Sequence, residues 1–367
     1  MGLAMASFTR IFSPPAAAPV LCRPNRRWAR PSPGGLLRLV VAKVIDETPN
    51  AKTFVLDAPG LDYSAGQHLT IVAKVDGKEH RRCYSLSTSP LAGSQPAITV
   101  KRVEGGTLSS WLHDRVRAGD VLRAAPAAGR FTIDADHAAS RHVAMVAGGV
   151  GITPLISMFE TLLRSQKQSR VTLLYGSRCQ DEIIFRSRID AMQKLFGRRL
   201  DVILAVDEAG PGWNGLTGPI DAARVAAVLR DRDVDSWYVC GPGPMMNGVV
   251  GALEARGVAG DRIHLERFQY AESSTTAAPT TAATLVFGAS AKTVIAKPGA
   301  TLLEAADAAG ITLPSSCRMG GCGACKIRID GNVVAAEPNC LTPAERADGY
   351  ALACCSFGDG RVVIRDF

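Results

Sequence analysis

Three cysteines fall close together near the C-terminal end of the chain, as Cys317-Arg-Met-Gly-Gly-Cys322-Gly-Ala-Cys325, and three more follow, at positions 340, 354 and 355. This C-x4-C-x2-C run is ligand spacing rather than disulfide spacing. With a further cysteine about 29 residues on, it is the plant-type ligand set for a [2Fe–2S] centre. The glycines suit that chemistry. A short loop must aim three thiolates at two irons while bringing backbone N–H groups close to sulfur, and Gly320, Gly321 and Gly323 permit the approach and its positive-φ turns. A zinc site would ordinarily show paired C-x2-C knuckles, and here there is one. The ligands expected are Cys317, Cys322, Cys325 and either Cys354 or Cys355. Thiolates that bind iron need a reducing compartment, which predicts a cytoplasmic location.

The chain has 367 residues, enough for two or three domains. Its net charge of +8 raises nucleic acid as a partner, but the distribution speaks against it. Arg10, Arg23, Arg26, Arg27, Arg30, Arg38 and Lys43 all precede the first acid, Asp46, and the remainder is close to neutral. Basicity therefore belongs mostly to residues 1–36, a Pro-, Ala- and Arg-rich stretch read as a disordered tail, with a transit peptide as the sharper alternative. No nucleic-acid footprint is expected on the folded part. No apolar run approaches the roughly 18 residues of a membrane span, so no stable membrane insertion is expected.

Three patterns follow the tail. Residues 37–137 show short β-branched runs broken by turns, with one helical stretch around Leu108–Arg115, which predicts an antiparallel β-barrel. Residues 138–270 alternate strand and helix, which predicts an α/β domain on a parallel sheet. Residues 271–283 are rich in Ser, Thr, Ala and Pro and read as a linker. Residues 284–367, with a hairpin, a short helix and further strands, form a compact α+β domain.

Where strand HLTIVAKV turns into the next, Arg82-Cys83-Tyr84-Ser85 reads R-x-Y-S. It resembles the flavin motif of the ferredoxin-NADP⁺ reductase superfamily, and the resemblance implies the roles. Arg82 would pair with the flavin pyrophosphate, Tyr84 would stack along the ribityl and isoalloxazine, and the Ser85 hydroxyl would reach flavin N5, where hydride arrives. Cys83 lies within the motif. Val100 and Lys101 follow, and then Gly106, Thr107, Leu108 and Ser109 open a helix whose N-terminus is a ready phosphate site. PAAGRF (126–131) completes the series. This second phosphate-binding segment favours FAD over FMN.

Gly148-Gly149-Val150-Gly151-Ile152-Thr153-Pro154 follows a buried strand and opens a helix, with Thr153 read as its N-cap and Pro154 as its first residue. Glycines here let N–H groups approach a pyrophosphate. The run is not G-x-G-x-x-G; it resembles the GGxGITP of the same superfamily. Cys240-Gly241-Pro242 matches that family's CGP segment near the nicotinamide, and Glu266-Arg267-Phe268 closes the lobe, as in relatives where these residues approach the flavin. Ser85, Cys240 and Glu266 are the catalytic candidates. Ser177 and Arg178 follow the second strand, where the adenosine ribose would sit, and with Arg186 favour a 2′-phosphate. Asp181 and Glu182 suit ribose hydroxyls instead. The cofactor is therefore NAD(P)H, with the choice open.

The cysteine motif with GYALAC (349–354) resembles the ferredoxin-type domain of iron–sulfur flavoprotein reductases, which implies a β-grasp fold. Family register makes Cys354 the fourth ligand, with Cys355 replacing the polar residue that usually follows. Cys340 reads as a small buried hydrophobe. The order flavin, nicotinamide, ferredoxin resembles reductase components of Rieske-type oxygenases. Hydride is a two-electron donor, a [2Fe–2S] cluster carries one electron, and a flavin handles both. Electrons from NAD(P)H are thus expected to pass through FAD and the cluster, singly, to a partner oxygenase or hydroxylase. The chain is expected to be a monomer. A membrane desaturase as partner, or a stand-alone oxidoreductase acting on small acceptors, are the alternatives. No oxygenase metal set is apparent among the six histidines, and His113, His137 and His142 read as surface or capping residues.

Overall fold

The computed structural model describes residues 35–135, 140–228, 232–268, 278–288, 292–318, 320–321, 323–337, 339–341 and 343–366. Most of the basic tail, most of the linker, His137 and Cys322 lie outside the described residues.

Six strands make the first sheet: β1 (Leu37–Thr48), β2 (Ala51–Asp57), β3 (His68–Val75), β4 (Lys78–Ser85), β5 (Ala97–Lys101) and β6 (Val121–Ala128), with helix α1 (Thr107–Arg115) between the last two. All pairings are antiparallel, in the order β4-β3-β6-β1-β2-β5. Leu86, just past β4, bridges Ile98 of β5, so the two edges meet and the sheet curls into the expected barrel. Apolar residues alternate inward and fill it with Phe54, Leu69, Ile71, Ile98 and Leu122.

The second sheet is wholly parallel. It contains β7 (His142–Gly148), β8 (Arg170–Cys179), β9 (Leu200–Glu208), β10 (Leu216–Thr217), β11 (Ser236–Cys240) and β12 (Ile263–Glu266), in the order β10-β9-β8-β7-β11-β12. Its helices are α2 (Ile152–Ser165), α3 (Arg186–Phe196), α4 (Ala222–Val228) and α5 (Gly243–Ala255). The chain builds outward from β7 and then returns to its other side. A crevice therefore opens at the carboxyl ends of β7 and β11, the place where ligands bind in such sheets.

The third sheet is mixed: β13 (Ala283–Phe287), β14 (Lys292–Ala296), β15 (Lys326–Ala335), β16 (Tyr350–Leu352) and β17 (Ser356–Asp366), ordered β14-β13-β17-β15-β16, with β13 and β17 parallel. Helix α6 (Leu302–Ala308) starts with a Thr301/Glu304 capping box, and α7 (Pro343–Ala347) precedes β16. Among the described residues no helix is long and apolar enough to cross a membrane.

Two readings need correction. Helix α2 starts at Ile152, not Pro154; Thr153 lies in its first turn and donates its hydroxyl to the Val150 carbonyl at 2.9 Å. A 3₁₀ turn over Gly149–Gly151 winds the chain into the helix early, so no side-chain cap is used. His113 is not a surface residue but is 3% exposed, with Nε2 2.8 Å from the Val100 carbonyl, tying α1 to β5.

The crevice depends on missing side chains. A Cβ at Gly151 would collide with the Cys240 carbonyl, whereas one at Gly149, at φ +53°, would meet nothing within 4 Å. Gly151→Ala should therefore cost about 3 kcal/mol or more, and Gly149→Ala only about 1 kcal/mol, from its left-handed backbone. Denaturant unfolding of the two variants checks the difference.

Candidate functional site

The cluster loop converges as the spacing requires. Cys317, Cys325 and Cys354 are all buried, the Cys325 and Cys354 sulfurs lie 3.2 Å apart, and the Gly320 amide donates to the Cys354 sulfur at 3.2 Å. Cys354 is pushed well up by the thiols of Cys317, Cys325 and Cys355 around it, then by burial. Cys325 is pulled down by its partner Cys354. With Cys322 outside the described residues, the described side chains alone make no complete metal set. The donor chemistry fits a cluster: buried soft thiols with an N–H aimed at sulfur. Gly320 and Gly323 take φ +79° and +70°, and a Cβ on Gly320 would meet the Cys355 sulfur at 2.8 Å. Cys355 is buried beside the loop, while Cys340 is only half-buried, its thiol pushed up to about 12 mainly by burial.

On the edge strand β4, Arg82, Cys83 and Tyr84 are half-buried and Ser85 is buried. The β3–β4 register pairs His68 with Ser85, Leu69 with Tyr84, Thr70 with Cys83 and Ile71 with Arg82. Because side chains alternate, Ser85 and Cys83 share one face with His68 and Thr70, and Arg82 and Tyr84 share the other with Leu69 and Ile71; of these last four, Leu69 and Ile71 belong to the barrel core and Tyr84 packs against it. Burial pushes the Tyr84 hydroxyl above its ordinary range.

The remaining flavin candidates divide. Val100 and Leu108 are barrel-core side chains and can offer a ligand only backbone. Lys101 reaches Glu182 at 3.0 Å, and Arg178 pairs with the same carboxylate. Ser109 accepts from the Val103 amide at 3.2 Å, so its hydroxyl serves the loop. Helix α1 begins at Thr107 after Gly106, with no side-chain cap on its first amides. A phosphate fits such an end.

At the crevice, Gly148 and Gly241 interleave: a Cβ on Gly148 would lie 2.6 Å from Pro242, and one on Gly241 would lie 2.9 Å from the Gly148 nitrogen. Gly148, Gly151 and Gly241 thus allow close strand-end packing, and Gly149 alone faces open space. Ser177 is buried, its hydroxyl 3.3 Å from the Glu182 carbonyl oxygen. Cys240 sits in register with Glu266 across β11 and β12. Its thiol is raised by burial first, then by the Glu266 carboxylate. That carboxylate also contributes, behind burial and the Cys317 and Cys325 thiols, to raising Cys340, whose amide donates to the Gly320 carbonyl of the cluster loop at 2.9 Å. Phe268 is 40% exposed beyond them.

Sequence reasoning missed a seam between the barrel and the third sheet. Thr70 Oγ1 and Ser316 Oγ lie 3.0 Å apart, and Arg130 pairs with Glu345 at 2.7 Å. His68 is buried, with Nε2 lacking a partner among the described residues, and burial lowers its imidazole to about 4 while Cys317 acts against that shift. An orphaned ring nitrogen on the Ser85 face is consistent with a group bound there. The one available signal was the strand pairing, since His68 and Thr70 stand opposite the R-x-Y-S residues.

A model for an oxidoreductase FAD-binding domain matches residues 38–133, one for an oxidoreductase NAD-binding domain residues 145–251, and one for a 2Fe-2S iron-sulfur cluster binding domain residues 288–357. One component of the 1,2-phenylacetyl-CoA epoxidase of Escherichia coli (strain K12) is 31% identical over 345 residues, covering 90% of this chain and 97% of that protein. The glycine betaine monooxygenase reductase subunit of Chromohalobacter salexigens is 31% identical over 347 residues, covering 88% and 93%. Among solved structures, phthalate dioxygenase reductase, described as a modular structure for electron transfer from pyridine nucleotides to [2Fe–2S], aligns with a TM-score of 0.59 at 25% identity, over 90% of this chain and 98% of that one. The chain therefore belongs to the family of NAD(P)H-dependent oxidoreductases that join an FAD-binding domain, an NAD-binding domain and a C-terminal 2Fe-2S domain, the family of these oxygenase reductase components.

Proposed function

We propose that this chain is the reductase component of an oxygenase or hydroxylase system, delivering electrons from NAD(P)H one at a time to a separate oxygenase protein. Its divisions are a FAD-binding barrel at 37–137, a nicotinamide domain at 138–270 and a cluster domain at 284–367, in a monomer of the cytoplasm. The observation that carries the reading is convergence. The Ser85 face of β4 meets the loop of Cys317 through Thr70 and Ser316, Cys325 and Cys354 lie together in that loop's domain, and the Glu266 strand end, in register with Cys240, acts on Cys340 beside the loop. When bound, FAD accepts hydride and the cluster passes single electrons on.

The chain's own residues hold and orient these groups. The crevice at Gly149 receives the dinucleotide, and Cys240 and Glu266 border the nicotinamide. Ser85 presents a buried hydroxyl where flavin N5 would lie, and Arg82 and the α1 N-terminus hold phosphates. Cys317, Cys322, Cys325 and Cys354 ligate the cluster. Gly320 supports Cys354 as fourth ligand, because its amide already donates to that sulfur. For the adenosine ribose the geometry favours neither nicotinamide, since Arg178 is engaged by Glu182; the ratio of kcat/KM for NADPH and NADH decides.

Cys354→Ser should abolish the cluster's visible absorption and Cys355→Ser should retain it; the opposite result would exchange their roles. Ser85→Ala should keep FAD bound and slow its reduction by NAD(P)H about a hundredfold, the usual loss for one positioned donor, as read by stopped-flow absorbance. Cys322→Ser should stop reduction of cytochrome c while NAD(P)H still bleaches the flavin. Undiminished cytochrome c reduction would show that the cluster is not the outlet.

A further inference from the structure

The described hydrogen bonds between the barrel and the cluster loop include one that joins the flavin strand pair to a residue adjacent to a ligand. Thr70 and Ser316 are 246 residues apart in sequence, yet their hydroxyl oxygens lie 3.0 Å apart, with Thr70 wholly buried and Ser316 7% exposed. A hydroxyl taken out of water is costly unless it is bonded, so each holds the other in place. Thr70 is cross-strand from Cys83, whose sulfur lies 3.4 Å from the same Oγ1. The path from the R-x-Y-S strand to Cys317 is therefore Cys83, Thr70, Ser316 and one peptide bond.

Independent features press the same two surfaces together. A Cβ on Gly323, within the ligand loop, would lie 3.3 Å from Arg130 Cδ. Arg130 itself reaches across to Glu345. His68, one pleat along from Thr70 on the same face, is near enough for Cys317 to act on it.

We propose that the Thr70–Ser316 pair is the positioning contact that sets the distance from flavin to cluster. Thr70 and Ser316 are positioning residues, touching neither substrate nor iron. This rests on the functional reading above. The step they serve moves one electron from reduced flavin to oxidised cluster, with NAD(P)H as the source, and neither side chain makes or breaks a covalent bond. Tunnelling falls steeply with distance. One buried hydroxyl pair, between β3 and the loop that carries Cys317, therefore governs the step more than a broad but yielding surface would.

Stopped-flow mixing of the full, cofactor-loaded chain with NAD(P)H reads flavin bleaching and cluster bleaching as separate phases. Thr70→Val and the Thr70→Val/Ser316→Ala double variant should reduce the flavin at the parent rate. Cluster reduction should slow severalfold, because the tunnelling rate falls exponentially with distance. Thr70→Ser keeps the hydroxyl and should restore the cluster phase to the parent rate. Hydrogen exchange on the same loaded proteins should quicken around residues 315–318 in Thr70→Val and not in Thr70→Ser. A cluster phase in Thr70→Val matching the parent would overturn the proposal, as would equal slowing in Thr70→Ser. Failure of NAD(P)H to bleach the parent's flavin would instead overturn the functional reading, and the exchange comparison would still decide the contact.

Discussion

The relation between barrel and nicotinamide sheet depends on one buried carboxylate. Glu160 of α2 has a side chain 5% exposed and is held by Arg188 of α3 at 2.8 Å and by Arg164 of its own helix at 2.7 Å. Unpartnered, a carboxylate so placed would cost several kcal/mol. The second arm of Arg188 donates to the Ser87 carbonyl at 2.7 Å, two residues beyond Ser85. Ser157 donates to the Thr88 carbonyl, and Ser89 meets Thr161 at 2.7 Å. Ser157, Glu160 and Thr161 follow i, i+3, i+4 spacing and are buried, with Arg164 at i+7 on the exposed end of the same stripe, so this polar face of α2 is turned toward the segment leaving β4. The N-terminus of that helix is the glycine crevice. A single ion-paired stripe thus couples the positions of the flavin strand and the nicotinamide crevice, and the edge-on contact of Phe131 with Tyr238 at 5.7 Å packs beside it.

Much of this was legible because the relevant signals are local. A C-x4-C-x2-C loop, strand–glycine–helix junctions and R-x-Y-S on a β-branched hairpin each state their geometry within ten residues or so of sequence. The Asp76-Gly77 turn, at φ 48° and 79°, even specifies the β3–β4 hairpin that fixes register. Illegible parts are those set by a partner distant in sequence. Ser109 and Ser177 have the right chemistry for phosphate or ribose, but nearby backbone takes their hydroxyls. Lys101 and Arg178, each read as a cofactor ligand, share Glu182 across the two domains. Thr153 has the residue type of a cap but lies two residues past the cap position, Gly151, since the 3₁₀ turn winds the chain into the helix before it. Thr70 and Ser316 carry no motif, because a threonine in a strand and a serine before a cysteine are ordinary until the chain brings them together.

The two interfaces differ in a way that matches the two kinds of transfer. Between barrel and nicotinamide sheet the apolar core is continuous, taking in Ala51, Ala65, Phe131 and Ile133 alongside the residues of β7 and α2. Hydride moves between atoms at contact distance and in a fixed direction, so misalignment is penalised heavily. The core of the third sheet is made only of that domain's own residues, and its described contacts with the barrel are polar. Such an interface resembles transient ones, where relative motion is the default. An electron tunnels without needing orbital alignment at a single atom, and so tolerates a change of angle far better than an increase in distance. A small polar seam anchored by one buried hydroxyl pair meets that requirement. Arg318, at positive φ, pairs with Asp307 at 2.7 Å on the rim of the cluster loop.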